Sequence, residues 1–197
     1  MSLEDNIRSL LEQQRAYASF RTGGTKEQIE LDAVTDLIES MQARGMSRYQ
    51  NPRSRLEDPP DCAANNLDGQ PVAIEVTELV SEAAVAMNEA ARSGRAQFPA
   101  LDRMVIARWD EMLFIAHLDS VLTRKDQKTL IGGPYAEYVV LVHTDEPLLV
   151  RSTVEMWLSN RTFGPYHQIT RAYFLFHMNP ATAIPSSSWH WVAPNSR

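Results

Sequence analysis

Eight consecutive residues, Glu137 to Thr144 (EYVVLVHT), form a near-continuous apolar run of strand length. A strand with one face in water alternates apolar and polar side chains, whereas an unbroken run needs cover on both faces. The stretch therefore predicts an interior strand of a layered α/β or α+β domain around one mixed sheet. With 197 residues the chain is long enough for one such domain with a proper core. Cys62 is the only cysteine, which excludes an intrachain disulfide and a cysteine-based zinc site and fits a reducing, cytoplasmic setting.

The remaining elements follow from local signals. Residues 3 to 20 have the pattern of an amphipathic helix. Thr25 with Gln28 three residues later is a capping box, opening a helix that should run to about Ala43 and stop at Gly45. Residues 46 to 60 carry prolines and no apolar period, predicting a loop with one short strand at most. Residues 61 to 66 and 71 to 79 predict a hairpin around Leu67-Asp68-Gly69-Gln70. An alanine-rich helix over 81 to 94 and a long helix from about Leu101 to Leu130 come next, the latter ended by Gly132-Gly133-Pro134. A helix over 148 to 159 and strands over 171 to 177 and 188 to 192 complete the chain. There is no stretch of 18 uninterrupted apolar residues and the first fifteen residues are polar and charged, so neither a membrane span nor a signal peptide is expected.

The chemistry concentrates around the hairpin. Asp61 follows Pro60 at its start, and Glu75 lies fourteen residues further on, inside the apolar strand VAIEVTEL. Two carboxylates held a few ångströms apart repel unless a cation or a shared proton sits between them, so a hard-metal site is the first hypothesis. Strand alternation puts Glu75 and Thr77 on one face and Val72, Ile74 and Val76 on the other. On the capped helix, Val34, Leu37, Ile38 and Met41 mark the apolar stripe, and Glu30 falls within it. A core-facing glutamate needs a partner or a metal, although a first-turn glutamate is also favoured by the helix dipole. Lys125 and Lys128, three apart near the end of the long helix, share a face with Leu113, His117 and Val121. Lysines at a helix end also suit the dipole without any site.

This order of a helix bearing a glutamate, Pro-Asp, hairpin, Glu-x-Thr strand, long helix and apolar strand resembles the PD-(D/E)xK nuclease-like superfamily. The likeness covers roughly residues 25 to 145 and rests on Pro60-Asp61, the strand from Val72 to Leu79, and Glu30. It implies a restriction-endonuclease-like α/β fold: a mixed central sheet flanked by helices, as a single domain over 1–197. The N-terminal helix (1–22) and a strand-rich C-terminal extension (146–197) would be additions to it. It further implies Mg²⁺ or Mn²⁺ held by Asp61 and Glu75, assisted by the Val76 carbonyl and Glu30, for phosphodiester hydrolysis of DNA or RNA. Where the family carries a lysine two residues after the glutamate, this chain has Thr77. Members with IEVTEL-type strands move the lysine to the following helix, and Lys125 and Lys128 stand in that place, leaving Thr77 a supporting role. Many proteins of this fold pair up to cut two strands, so a homodimer is an expected assembly.

Two rivals stand beside this reading. One is a catalytically degenerate scaffold that kept a binding or assembly role. The other is an unrelated α/β binding domain in which Asp61 and Glu75 are turn and edge-strand residues. A net charge of −6 argues against a protein that coats nucleic acid but not against a nuclease with an acidic metal site. Arg44, Arg48, Arg53 and Arg55 form a local basic run that a solvated loop explains better than a nucleic-acid patch. His143, His177 and His190 lack zinc-ligand spacing, and the Gly132-Gly133 turn is not followed by a phosphate loop's Gly-Lys-Ser/Thr. The aromatic C-terminal third, including Trp189 and Trp191, is assigned to core packing.

Overall fold

The computed structural model describes residues 25–80, 109–144, 146, 149–159 and 161–176, together with the backbone of 188–191. The helices expected over 3–20 and 81–94, residues 101–108 of the long helix, His177, and the side chains of Trp189, His190 and Trp191 lie outside the described residues.

Among the described residues, six strands, β1 (Tyr49–Ser54), β2 (Cys62–Asn66), β3 (Pro71–Glu78), β4 (Glu137–Thr144), β5 (Arg171–Phe176) and β6 (Ser188–Trp191), form one sheet in sequence order. β1, β2 and β3 are antiparallel neighbours, β3, β4 and β5 run parallel, and β6 returns antiparallel, so the sheet is mixed and the class is α/β. The crossover between β3 and β4 contains helix α2 (Glu111–Asp126), and that between β4 and β5 contains α3 (Arg151–Leu158). Helix α1 (Lys26–Ala43) precedes the sheet.

β4 is the interior strand that its apolar run demands. Val139 and Leu141 pack with Ala33, Val34, Leu37, Ile38 and Met41 of α1 on one face of the sheet. Tyr138, Val140 and Val142 pack with Phe114, Leu118 and Leu122 of α2 and Val154 and Leu158 of α3 on the other. Glu75 lies on β3, which pairs with β4 along its length and with β2 as far as Ile74, so β3 is not an edge strand although Glu75 stands just past the end of its β2 pairing.

Local signals place most boundaries. Thr25 caps α1, its side chain accepting from the Gln28 N–H at 3.4 Å. The reciprocal half of the capping box is replaced, because the Gln28 amide instead donates to Asp32 four residues on. The β2–β3 turn closes with Gly69 at a positive φ of 79°, while the Asn66 side chain accepts from the Asp68 and Gln70 N–H groups. β1 lies in the proline-bearing segment as an edge strand with an irregularity between Gln50 and Arg53, where Pro52 removes no needed donor.

Two differences matter for the site. α2 begins at Glu111, with the Asp110 side chain capping the Leu113 N–H, rather than near residue 101. It ends at Asp126, so Lys128 lies just beyond the helix. The buried face of α2 is Phe114, Leu118, Val121, Leu122 and Lys125, whereas Leu113 is exposed. The stripe through Leu113 and His117 is therefore displaced by about one residue from the face the sheet covers.

Candidate metal centre

The site begins where two strands of unequal length part. β2 starts at Cys62, paired with Ile74, while β3 continues to Glu78. Beyond that last pair, the Val76 N–H has no β2 carbonyl to meet, and the Asp61 carboxylate takes it at 2.8 Å. A buried backbone donor requires a partner, and here the partner is a side chain that keeps an oxygen to spare. Asp61 is only 6% exposed.

Glu75, one residue back along β3, is fully buried. Such a charge is costly unless paired. Lys125, in the last turn of α2, donates to Glu75 Oε1 at 2.8 Å and to the Val76 carbonyl at 3.2 Å. Lys128 donates to the same Oε1 from beyond the helix end. The second oxygen, Glu75 Oε2, is buried with no hydrogen-bond partner among the described residues.

Asp58 completes an acidic triad. One ligand oxygen each from Asp58, Asp61 and Glu75 lies within 4.8 Å of the others, the span a single cation can bridge. Asp58 is exposed and also lies 3.6 Å from the Lys128 ammonium. On the other side stands Lys26, the first residue of α1, 3.7 Å from Asp61, 3.6 Å from Asp58 and 3.4 Å from Glu30. Glu30 thus reaches the triad's rim through Lys26 and is not one of the three grouped acids. Thr77 follows Glu75 on its face of β3 and is half-buried.

The electrostatics follow from burial and crowding. Burial, reinforced by the Asp61 charge and opposed by Lys26, pushes the Glu30 carboxyl up to about 7. Burial likewise raises Asp61, with the Val76 N–H pulling the other way and Glu75 adding repulsion. Burial works against the Lys128 ammonium, but its hydrogen bond and attraction to Glu75 outweigh that and hold it above the ordinary lysine range. Burial and the neighbouring Glu30, Asp61 and Glu75 push the Cys62 thiol up to about 12, so this cysteine is an inert core residue.

Lys125 and Lys128 are aimed by an anchor at the end of α2. Asp126 accepts from the backbone N–H groups of His167, Gln168 and Ile169 at 2.7–3.0 Å. Burial opposes its ionisation, yet those three donors hold its carboxyl below the usual carboxylate range. The Gln168 amide donates to the Asp126 and Lys128 carbonyls, and the Tyr138 hydroxyl donates to the Lys125 carbonyl. The helix end, and with it Lys125 and Lys128, is fixed to β4 and to the segment leading into β5.

Of the residues singled out from sequence, Asp61, Glu75, Val76, Lys125 and Lys128 converge on one point, with Glu30 at its edge. Three participants escaped the sequence reading. Asp58 had a signal in the stiff run Asp58-Pro59-Pro60-Asp61, in which the prolines restrict the link between two acids. Lys26 had one in its position, since a cation in the first turn opposes the helix dipole. Asp126 had none, being indistinguishable from a solvated acid at a helix end.

The three grouped donors are carboxylate oxygens, the hard set suited to Mg²⁺, Mn²⁺ or Ca²⁺. The unpartnered Glu75 Oε2 is a buried acceptor that such a cation would satisfy. Among the described residues no helix is long and apolar enough to cross a membrane. No protein-family model matches the sequence, and no curated protein or solved structure matches it.

Proposed function

We propose that this chain is a divalent-metal-dependent nuclease on a restriction-endonuclease-like scaffold, with the lysine of the usual strand motif displaced to the end of α2. The observation that carries this reading is that Asp61, grouped with Glu75 and bonded to the Val76 N–H, and the Lys125 and Lys128 ammoniums, both bonded to Glu75, meet at one end of β3. Asp61, Glu75 and Asp58, with the Val76 carbonyl, would hold Mg²⁺ or Mn²⁺. When bound, such a cation supplies an acidified water and neutralises charge on a phosphate.

The chain's own groups would do the rest. Lys125, nearly buried, pairs with Glu75 and fixes its orientation. Lys128, a third exposed on its side chain, can turn from Glu75 toward a substrate oxygen or the attacking water. Asp126 is a positioning residue that fixes both lysines through the helix end.

A second reading has an observation of its own. Both lysines bond the same Glu75 oxygen, so the buried carboxylate is already compensated without a metal, as expected of a degenerate scaffold with a binding or assembly role. The test is cleavage of plasmid, single-stranded DNA and RNA with Mg²⁺ or Mn²⁺, comparing wild type with Glu75→Ala and Lys128→Ala. Metal-dependent cutting lost in both variants supports the nuclease. Cutting that survives Glu75→Ala overturns it, and Mn²⁺ binding without cutting favours the degenerate scaffold.

A further inference from the structure

The metal triad does not stand in an acidic field. Asp58, Asp61, Glu75 and Glu30 are matched by Lys26, Lys125 and Lys128, so the cluster carries nearly as many ammoniums as carboxylates. A divalent cation entering it leaves an excess of positive charge, which an anion would balance. The three lysines are not equivalent. The Lys125 side chain is 10% exposed and shares its donors between Glu75 and Val76, whereas that of Lys26 is 67% exposed.

Lys26 pairs with Glu30 one turn along α1 at 3.4 Å, but helix stability does not account for its other contacts. It is the first residue of α1, where its charge opposes the macrodipole, and its two remaining ion pairs reach out of the helix to Asp58 and Asp61. Both of those pairs, at 3.6 and 3.7 Å, are longer than a direct charged hydrogen bond. An exposed ammonium held loosely beside the triad is free to exchange a carboxylate for a phosphate oxygen.

We propose that Lys26 is a substrate-contacting residue: it takes a phosphate oxygen at the mouth of the triad, so that metal and phosphate bind there cooperatively. The inference rests on the metal-site reading above and extends it to a residue of α1, apart from Lys125 and Lys128. By linkage, a phosphate that binds better with metal present must tighten the metal by the same factor. Removing Lys26 takes a positive charge from beside the cation and a donor from the phosphate, so it should strengthen metal binding alone and weaken the coupling. A merely structural Lys26 would do neither.

The experiment is Mn²⁺ titration calorimetry with and without a deoxynucleoside 5′-monophosphate, on wild type, Lys26→Gln and Glu75→Gln, with circular dichroism to verify the fold. In wild type the nucleotide should tighten Mn²⁺ by about tenfold, within the usual range of coupling. In Lys26→Gln, Mn²⁺ alone should bind several-fold tighter and the nucleotide effect should fall below about twofold. Equal coupling in wild type and Lys26→Gln, or weaker Mn²⁺ binding in Lys26→Gln, overturns the Lys26 assignment while leaving the metal site intact. Mn²⁺ binding that is undetectable in wild type, or unchanged in Glu75→Gln, removes the metal site itself and this inference with it.

Discussion

Replacing Lys125 with methionine isolates the energetics of the buried centre. Methionine keeps most of the lysine stem's volume, so the change removes the charge and its donors with little effect on packing. In the native protein the ammonium lies 2.8 Å from Glu75 Oε1 and 3.2 Å from the Val76 carbonyl, and Glu75 is fully buried. Breaking one partner of a buried pair costs about 3–5 kcal/mol when the remaining charge is left alone. Lys128 still donates to the same oxygen, so part of that cost is compensated. The expected loss for Lys125→Met is therefore about 2–3 kcal/mol in metal-free buffer. For a chain of this size, each kcal/mol lowers the melting temperature by about 2–4 °C. Urea denaturation with EDTA should show the midpoint fall at unchanged slope. The double variant Glu75→Gln/Lys125→Met should recover a good part of the loss, because it removes the stranded charge as well. A Lys125→Met loss below about 0.5 kcal/mol, or a double variant less stable than the single, would refute the claim that this pair governs the buried charge.

Other consequences can be measured on the same protein. Because Glu30 titrates near 7 when folded and near 4.5 as an unperturbed carboxyl, the folded state binds the extra proton between those values. Metal-free stability should therefore be greatest below about pH 4.5 with respect to this group and decline as pH rises through 7. Glu30→Gln should remove that decline, a difference of about 1–2 kcal/mol at pH 8 after allowing for solvent screening, and urea midpoints at pH 5 and pH 8 decide it. Asp126 has the opposite sign: its stabilisation is present above the ordinary aspartate range and lost as pH falls through its lowered folded value. Asp126→Asn offers one acceptor where three N–H groups need them, so it should cost about 1.5–3 kcal/mol at pH 7 and lower kcat more than it raises KM; an unchanged stability counts against the anchor. The buried Cys62 thiol should resist an aromatic disulfide reagent at pH 8 and react fully in urea, and prompt native labelling would contradict its environment.

What sequence makes legible here is local. The Thr25 cap, the four-residue turn between β2 and β3, and the apolar run of β4 each arise from interactions a few residues apart or from a single strand's need for cover. The alternation along β3 put Glu75 on its proper face for the same reason. α2 was misjudged because its sequence supports two overlapping stripes, one through Leu113 and His117 and one through Phe114 and Leu118. Only the sheet beneath it selects the second.

The site was half legible on the same terms. Its acids stand in short patterns, but its assembly depends on contacts between distant residues. Lys125 and Lys128 meet Glu75 across 50 and 53 residues, and Asp126 is secured by N–H groups more than 40 residues away. Such pairings have no periodic signature, because they are fixed by how elements pack rather than by how each one forms. The sequence by itself determined the β3 and β4 strands, the Thr25 cap and the face Glu75 would occupy, since backbone geometry and local hydrogen bonding suffice for those. Tertiary structure alone decided that three lysines and four acids share one centre, because only the ending of β2 short of β3 opens the gap into which they converge.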